Sequence, residues 1–288
     1  MLTRSLARRD MKEAQESLRA ADAIDPAIGY RRYEPENPLA LEEACAGIEK
    51  RIRMPMGTSR FWLINRSLSE VSPQSRPVAV EYASVMRGAR QRFDELDATD
   101  GLCHVANGKP EDLLFMDVES CGFSGAVIFL VGVMFFRDDD LHFEQYLARN
   151  YAEEAAVLRA FIDRIKRSRV LVTFNGKAFD MNMIRERAIF HGLEPAGKCP
   201  HLDLLTEARR RWRGRLPNCK LQTLERCLFN RNRVGDIPGW AIADAYHKFV
   251  DTADARQVKD IVHHNLLDLL TMAQLVSLIL TGNDPVDA

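Results

Sequence analysis

The sequence predicts an α/β domain: a mixed sheet, an antiparallel three-strand meander plus parallel strands, flanked by helices and preceded by an N-terminal extension. Three observations lead there. First, Leu113–Val118, Ala126–Phe136 and Leu141–Leu147 are three strand-like runs, parted by turns at Gly122/Gly125 and Asp138–Asp140, as a meander requires. Second, the chain then alternates. Ala152–Arg167 puts Ala155, Leu158, Ile162 and Ile165 on one helical face, Val170–Phe174 is a buried strand, and Phe179–His191 is a helix stopped by Gly192. Third, Leu202–Leu205 has the composition of a short strand, and helical pattern continues from it to Leu280. Strands followed by a helix, a strand and a helix outline a sheet sandwiched by helices.

The organisation expected is an accessory region over 1–110, a catalytic-type domain over 111–281 and a tail over 282–288. In the first region, Met11–Ala23 and Ala40–Ile52 have helical patterns, the second ending before Pro55. Arg60–Arg66 has strand composition, and Val80–Leu96 is again helical before a turn-rich stretch with Asp97, Asp100 and Gly101. None of it supplies a chemical motif, and a packing extension is the simplest expectation.

With 288 residues, 46% hydrophobic and 28% charged, the composition is that of a globular protein. Cys45, Cys103, Cys121, Cys199, Cys219 and Cys227 contain no Cys-x-x-Cys pair, which argues against a zinc ribbon or disulfide framework and suits a reducing, cytoplasmic setting. The first residues carry arginines but no apolar signal-type core before Asp10 and Lys12. The apolar run Ala126–Phe136 has about half of the ~20 residues that span a bilayer, so no membrane partner is expected.

Candidate chemistry rests on acids. Asp117 and Glu119 lie two apart at the end of a predicted strand, so period-two geometry puts both on one face. Adjacent carboxylates repel unless a cation lies between them. Asp180 ends Asn175-Gly-Lys-Ala-Phe-Asp180, where Phe179 is expected to anchor in the core while Asp180 turns up at a helix start, there to serve chemistry or to cap the helix. His264 and Asp268 share a face of the last helix at i and i+4, among Ile261, Leu266, Leu269, Leu270 and Leu275. An acid set among so many leucines is costly to bury unless paired or bound to a metal.

The order and spacing of MDVE (116–119), NGKAFD (175–180) and HHNLLD (263–268) resemble the three exonuclease motifs of the DEDD (DnaQ-like) superfamily, which includes proofreading exonucleases and ribonuclease D. FMDVESCGFSG, FLVGV, LVTFNGKAFD, HLDLL, RRRWR, KLQTLE, DIPG and HNLLDLL together resemble its YprB-like, ribonuclease-H-like branch over about 111–280. The resemblance implies a ribonuclease-H-like sheet and a metal-dependent 3′→5′ exonuclease. It also implies that Glu119 contacts a terminal 3′ hydroxyl. Two positions depart from the pattern: Ser120 stands where a Thr is usual, and Phe174 where a His often precedes the motif's Asn. His264 has the spacing of the Tyr-type base and His263 that of the common His type. His264 is the expected base because it shares a face with Asp268, with His263 as the alternative.

Phosphodiester hydrolysis needs a hydroxide nucleophile, neutralisation of developing charge and a stabilised leaving oxygen. Two Mg²⁺ or Mn²⁺ ions about 3.5–4 Å apart supply these, and carboxylates are the hard ligands such ions prefer. The expected ligands are Asp117 bridging both ions, Glu119 and Asp268 on the nucleophile side, and Asp180 on the other.

Thr206–Arg233 carries eight arginines and Lys220 against Glu207 and Glu225, a net +7 by count in a chain of net charge −1. With Trp212 and Phe229 interleaved, this suits phosphate contact and base stacking on a single strand with a free 3′ end. Arg210, Arg211, Arg213 and Lys220 are the candidate contacts there, joined by Lys177, Asn175 and Ser120 beside the acids; for His201 and Asp203 a structural role is expected. Competing expectations are a ribonuclease-H-like endonuclease, a nucleic-acid-binding module with a decayed site, and a carboxylate metalloprotein acting on small phosphoesters. Residue types do not decide between DNA and RNA.

Overall fold

The protein is described from a computed structural model covering residues 37–55, 57–91, 98–123 and 125–286. One compact unit begins at Pro38. The helix expected over 11–23 lies outside the described residues.

Seven strands form one sheet: β1 (Ile48–Met54), β2 (Gly57–Ser67), β3 (Leu113–Ser120), β4 (Ile128–Arg137), β5 (Asp140–Leu147), β6 (Val170–Thr173) and β7 (His201–Asp203). Their order is β1-β2-β5-β4-β3-β6-β7. The meander β3–β4–β5 is antiparallel, and β6 and β7 add in parallel beside β3, as expected. The β4–β5 turn places Asp138 (φ 51°) and Asp139 (φ 57°) in the left-handed region, which aspartate tolerates and which matches the twist of a two-residue hairpin.

The longer helices are α1 (Arg76–Gly88), α2 (Asp100–Ala106), α3 (Glu154–Ile165), α4 (Asp180–Phe190), α5 (Leu204–Trp212), α6 (Leu221–Phe229), α7 (Ile242–Thr252) and α8 (Arg256–Thr281). By length and composition α8 is apolar enough to cross a bilayer, but its apolar side chains are buried within the fold. It packs over β3 and β4.

Strand periodicity divides the core into two. Leu114 and Met116 face one cluster, and Leu113 and Phe115 the other, where Leu266, Leu269 and Leu270 of α8 pack. Continuing the alternation, Asp117 and Glu119 fall on the α8 side, at the point where apolar burial ends.

The segment before residue 111 contributes to this same sheet. β2 pairs with β5, and β1 pairs with β2. The helix expected over 40–52 is replaced by one turn, Leu41–Ala44, followed by β1. Two contacts explain the change. Cys45 C=O accepts from Trp62 Nε1 (3.0 Å), and Gly47 lies so close to that indole that a Cβ there would come within 2.5 Å of Nε1. Ile52 and Met54 then alternate toward the core, while Glu49, Lys50, Arg51 and Arg53 charge the sheet edge and discourage further strand addition. α1 begins at Arg76 rather than Val80, and residues 92–97 lie outside the described part. The strand expected over 202–205 shifts to 201–203, because Asp203 caps α5 by accepting from Leu205 N (3.1 Å). In the C-terminal segment, Asp284 accepts from Trp212 Nε1 (3.2 Å) and Arg215 (2.6 Å).

Candidate active site

Three separated segments bring the acids together. β3 delivers Asp117 and Glu119, and the pairing register with β4 shifts between Glu119 and Ser120, an irregularity that re-aims a strand end. Ser120 Oγ donates to Gly122 C=O (2.6 Å), which occupies its hydroxyl hydrogen.

The second acid arrives on the loop after β6. Asn175 is left-handed (φ 67°), and the loop is cradled by Asp203, whose carboxylate accepts from Asn175 N (2.8 Å) and Lys177 N (3.1 Å). Gly176 is required there, since a Cβ would lie 2.5 Å from Thr173 Oγ1. Thr173 Oγ1 in turn pairs with His201 Nε2 (2.8 Å). The structural role expected for His201 and Asp203 is therefore a hydrogen-bonded support for this loop. Burial and then Lys177 pull His201 down to about 4. Asp180 opens α4 without capping it; Phe179 stands at the cap position. Phe179 is 55% exposed rather than anchored in the core.

The third acid, Asp268, and His264 lie on one face of α8. His264 is buried, whereas His263 is exposed. His264 Nδ1 meets Asp236 Oδ2 at 2.8 Å, and its Nε2 lies 3.7 Å from Asp268 Oδ2.

Electrostatics report the crowding. Asp117 is held well above the usual carboxylate range by burial and then by Asp268 and Asp180, partly opposed by its bond from Asn265 and by Arg233. Glu119 is pushed well up by burial, then by Asp117, Asp268, Asp180 and Asp236. Burial, followed by Asp203, lifts Asp180 to about 7. Asp268 is raised by burial against the pull of Arg233 and His264. All four carboxyls are thus raised, those of Asp117 and Glu119 partly by the other acids.

Sequence reasoning did not single out Arg233, Glu225, Asp236 or Asn265. Arg233 is nearly fully buried and binds Glu225 (2.6 Å), Asp268 (2.5 Å) and Asp236 (3.2 Å). Asn265 Nδ2 donates to Asp117 Oδ2 (2.8 Å), and Asn265 Oδ1 accepts from Gln145 Nε2 (2.9 Å). The available signal was position: Asn265 lies inside the third motif, and Glu225 and Asp236 inside KLQTLE and DIPG.

Carboxylate oxygens are the donors hard divalent cations take, so the donor set suits such ions. Among the described residues, no three Asp, Glu, His or Cys side chains converge closely enough to hold one. In this geometry Arg233 is the cation bound to Asp268.

The basic stretch is less open than its sequence suggests. Arg210 and Arg211 each lie 3.6 Å from buried Glu207, and Arg231 and Arg233 bind buried Glu225. Trp212 is buried and Phe229 half-buried against the core, so neither is placed for the base stacking expected of them. Arg213, Lys220 and Lys177 are exposed. Large apolar groups instead lie open: Phe123 (88% exposed) and Phe179 near the acids in sequence, and Val234 (97%) and Trp240 (70%) in the segment around Asp236.

The chain is similar to known proteins in sequence and in structure. "Uncharacterized protein YprB" of Bacillus subtilis (strain 168) is 30% identical over 210 residues, covering 68% of this chain and 51% of that protein. The chain thus spans about half the length of that relative. Among solved structures, the family B DNA polymerase of the hyperthermophilic archaeon Pyrobaculum calidifontis is similar at 17% identity and a TM-score of 0.47, over 61% of this chain and 26% of the polymerase chain. The RNase_H superfamily pattern matches residues 114–280, which contain all four acids and His264. With more than half its length matched, the chain belongs to the RNase_H superfamily.

Proposed function

We propose that this chain is a metal-dependent 3′→5′ exonuclease acting on single-stranded nucleic acid. The observation that carries the reading is that Asp117 and Glu119 lie near enough to Asp180 and Asp268, acids from two other segments, to be raised by them, with His264 Nε2 3.7 Å from Asp268. Asp117, Glu119, Asp180 and Asp268 would hold Mg²⁺ or Mn²⁺, two ions in the expected arrangement. Such ions supply charge neutralisation and a more acidic water.

The protein's own groups do the rest. His264 Nε2 takes a proton from the attacking water as its oxygen bonds to phosphorus. The P–O3′ bond breaks, the leaving oxygen takes a proton from solvent, and a nucleoside 5′-phosphate departs from a strand ending in a new 3′ hydroxyl. Phe123, Phe179 and Trp240 offer faces for unpaired bases, and Arg213, Lys220 and Lys177 offer charge to phosphates.

The test is degradation of 3′- and 5′-labelled single strands, DNA and RNA in parallel, with Mn²⁺ or Mg²⁺ and with EDTA. Asp117→Ala and Asp268→Ala run alongside. A metal-dependent ladder shortening from the 3′ end, absent from both variants, is the expected result. Cut circles with intact linear strands would replace the exonuclease by an endonuclease, and binding without cleavage by a decayed module.

A further inference from the structure

Asp236 lies in the loop between α6 and α7, in the sequence Asp-Ile-Pro-Gly. Its backbone is anchored on both sides. Ile237 is buried in the core, Pro238 restricts the chain after it, and Arg233, three residues earlier, is tied to buried Glu225. The Asp236 side chain is 8% exposed, so its position is set by the fold rather than by solvent.

Its Oδ2 meets His264 Nδ1 (2.8 Å) and Arg233 (3.2 Å), while Oδ1 is buried without a partner among the described residues. A carboxylate is an acceptor, so the imidazole nitrogen facing Oδ2 carries the hydrogen. A neutral ring then has its lone pair on Nε2. That nitrogen faces Asp268 Oδ2 at 3.7 Å, too far for a direct hydrogen bond.

We infer that Asp236 is the positioning residue of the base: it fixes His264 as the Nδ1–H tautomer and aims the Nε2 lone pair at the acidic cluster. The inference rests on His264 acting as the base of the proposed hydrolysis. Asp236 itself touches neither substrate nor the reacting atoms. The same geometry ranks the two histidines, since His264 is buried against Asp236 whereas His263 is exposed.

The experiment has a spectroscopic and a kinetic arm. In the full-length protein labelled with ¹⁵N-histidine, long-range ¹H–¹⁵N correlation at about pH 8.5, above the ordinary imidazole range of about 6.5, reads the tautomer of each ring. His264→Gln assigns the signal. The wild type is expected to show Nδ1–H for His264, and Asp236→Asn to lose that preference. In the nuclease assay Asp236→Asn is expected to lower kcat about 10- to 1000-fold with KM and Mn²⁺ affinity nearly unchanged, and Asp236→Glu to recover part of it. An Nε2–H tautomer in the wild type overturns the inference. So does an Asp236→Asn protein that keeps both tautomer and kcat. The spectroscopic arm needs no substrate. A wild-type protein with the expected tautomer and no nuclease activity would therefore sink the functional reading while leaving the Asp236–His264 arrangement standing.

Discussion

Asn265 Nδ2 reaches across β4 to donate to Asp117 Oδ2 at 2.8 Å, and it can do so only because residue 132 is a glycine. Gly132 pairs directly with Asp117 in the β3–β4 ladder, and a Cβ there would lie 1.8 Å from Asn265 Oδ1. Behind Asn265 stands Gln145, which donates both to its Oδ1 (2.9 Å) and to Val262 C=O (2.7 Å). A buried polar chain thus links β5, α8 and the first acid. Such a chain is costly to leave half-made.

Gly132→Ala should therefore do two things at once. The methyl displaces the Asn265 amide, with a cost of about 1–3 kcal/mol from overpacking and broken hydrogen bonds. It also frees the Asp117 carboxylate to rotate, so Mn²⁺ should bind more weakly. Urea unfolding gives the first quantity and calorimetric titration the second. Wild-type stability and metal affinity in the variant would show that the Asn265 contact is incidental.

Arg233 offers a sharper test of the cluster's charge balance. It is the counterion of buried Glu225 and of Asp268, and those acids hold its protonated form against burial. Arg233→Met removes one of the two arginines that bind Glu225, the other being Arg231 among the described residues, and takes the same guanidinium from Asp268. Breaking a buried pair from one side costs about 3–5 kcal/mol. Denaturant midpoints measure it. A loss under 1 kcal/mol would mean that the acids are solvated or protonated instead.

Much of this was legible in the sequence where the physics is local. Alternation in LLFMDVES, the glycine and aspartate turns and the i, i+4 spacing of His264 and Asp268 are short-range properties, and the meander and the acid-bearing elements follow from them. β1 was misread because Ile48–Met54 becomes a strand through tertiary contacts, Cys45 with Trp62 and Gly47 with the same indole. Trp212 looked like a stacking platform, but Asp284, 72 positions on, takes its N–H and helps hold it inward. Arg233 looked like one basic residue among many until the fold set it against Glu225. Partners that far apart leave no trace in local pattern.

The acids also fix the direction of pH dependence. Asp117, Glu119, Asp180 and Asp268 are all raised, Asp180 to about 7 from an ordinary value near 3.8. For such a group the folded state binds more protons than the unfolded one between the two values, so stability falls as pH rises through that window. In EDTA the melting temperature should drop from about pH 4.5 toward pH 7.5 as these groups ionise against one another. Added Mn²⁺ is expected to bind the ionised form and so to raise the melting temperature, most strongly at the upper end. Glu119→Gln, which removes a carboxylate whose named electrostatic neighbours are all acids, should flatten the EDTA profile and weaken the Mn²⁺ response. A flat wild-type profile, indifferent to metal, would contradict the picture of four mutually repelling carboxylates.

The basic stretch yields the last prediction, because the structure sorts its charges into two kinds. Arg231 and Arg233 neutralise Glu225, and Arg210 and Arg211 lie beside Glu207, so much of their charge is answered inside the protein. Arg213 and Lys220 are exposed, and their charge faces solvent. Each phosphate contact contributes about one unit to the slope of log affinity against log salt, less for single strands. Arg213→Ala and Lys220→Ala should therefore each weaken binding of a single-stranded oligonucleotide and reduce that slope by about 0.7, with little change in melting temperature. Arg233→Met should lower the melting temperature instead, and Trp212→Phe should destabilise without weakening binding per folded molecule. Salt titrations by fluorescence anisotropy, paired with melting curves, separate the two kinds. If Trp212→Phe lowers affinity in fully folded protein while Arg213→Ala and Lys220→Ala leave it untouched, the strand lies along a different face than these exposed cations define.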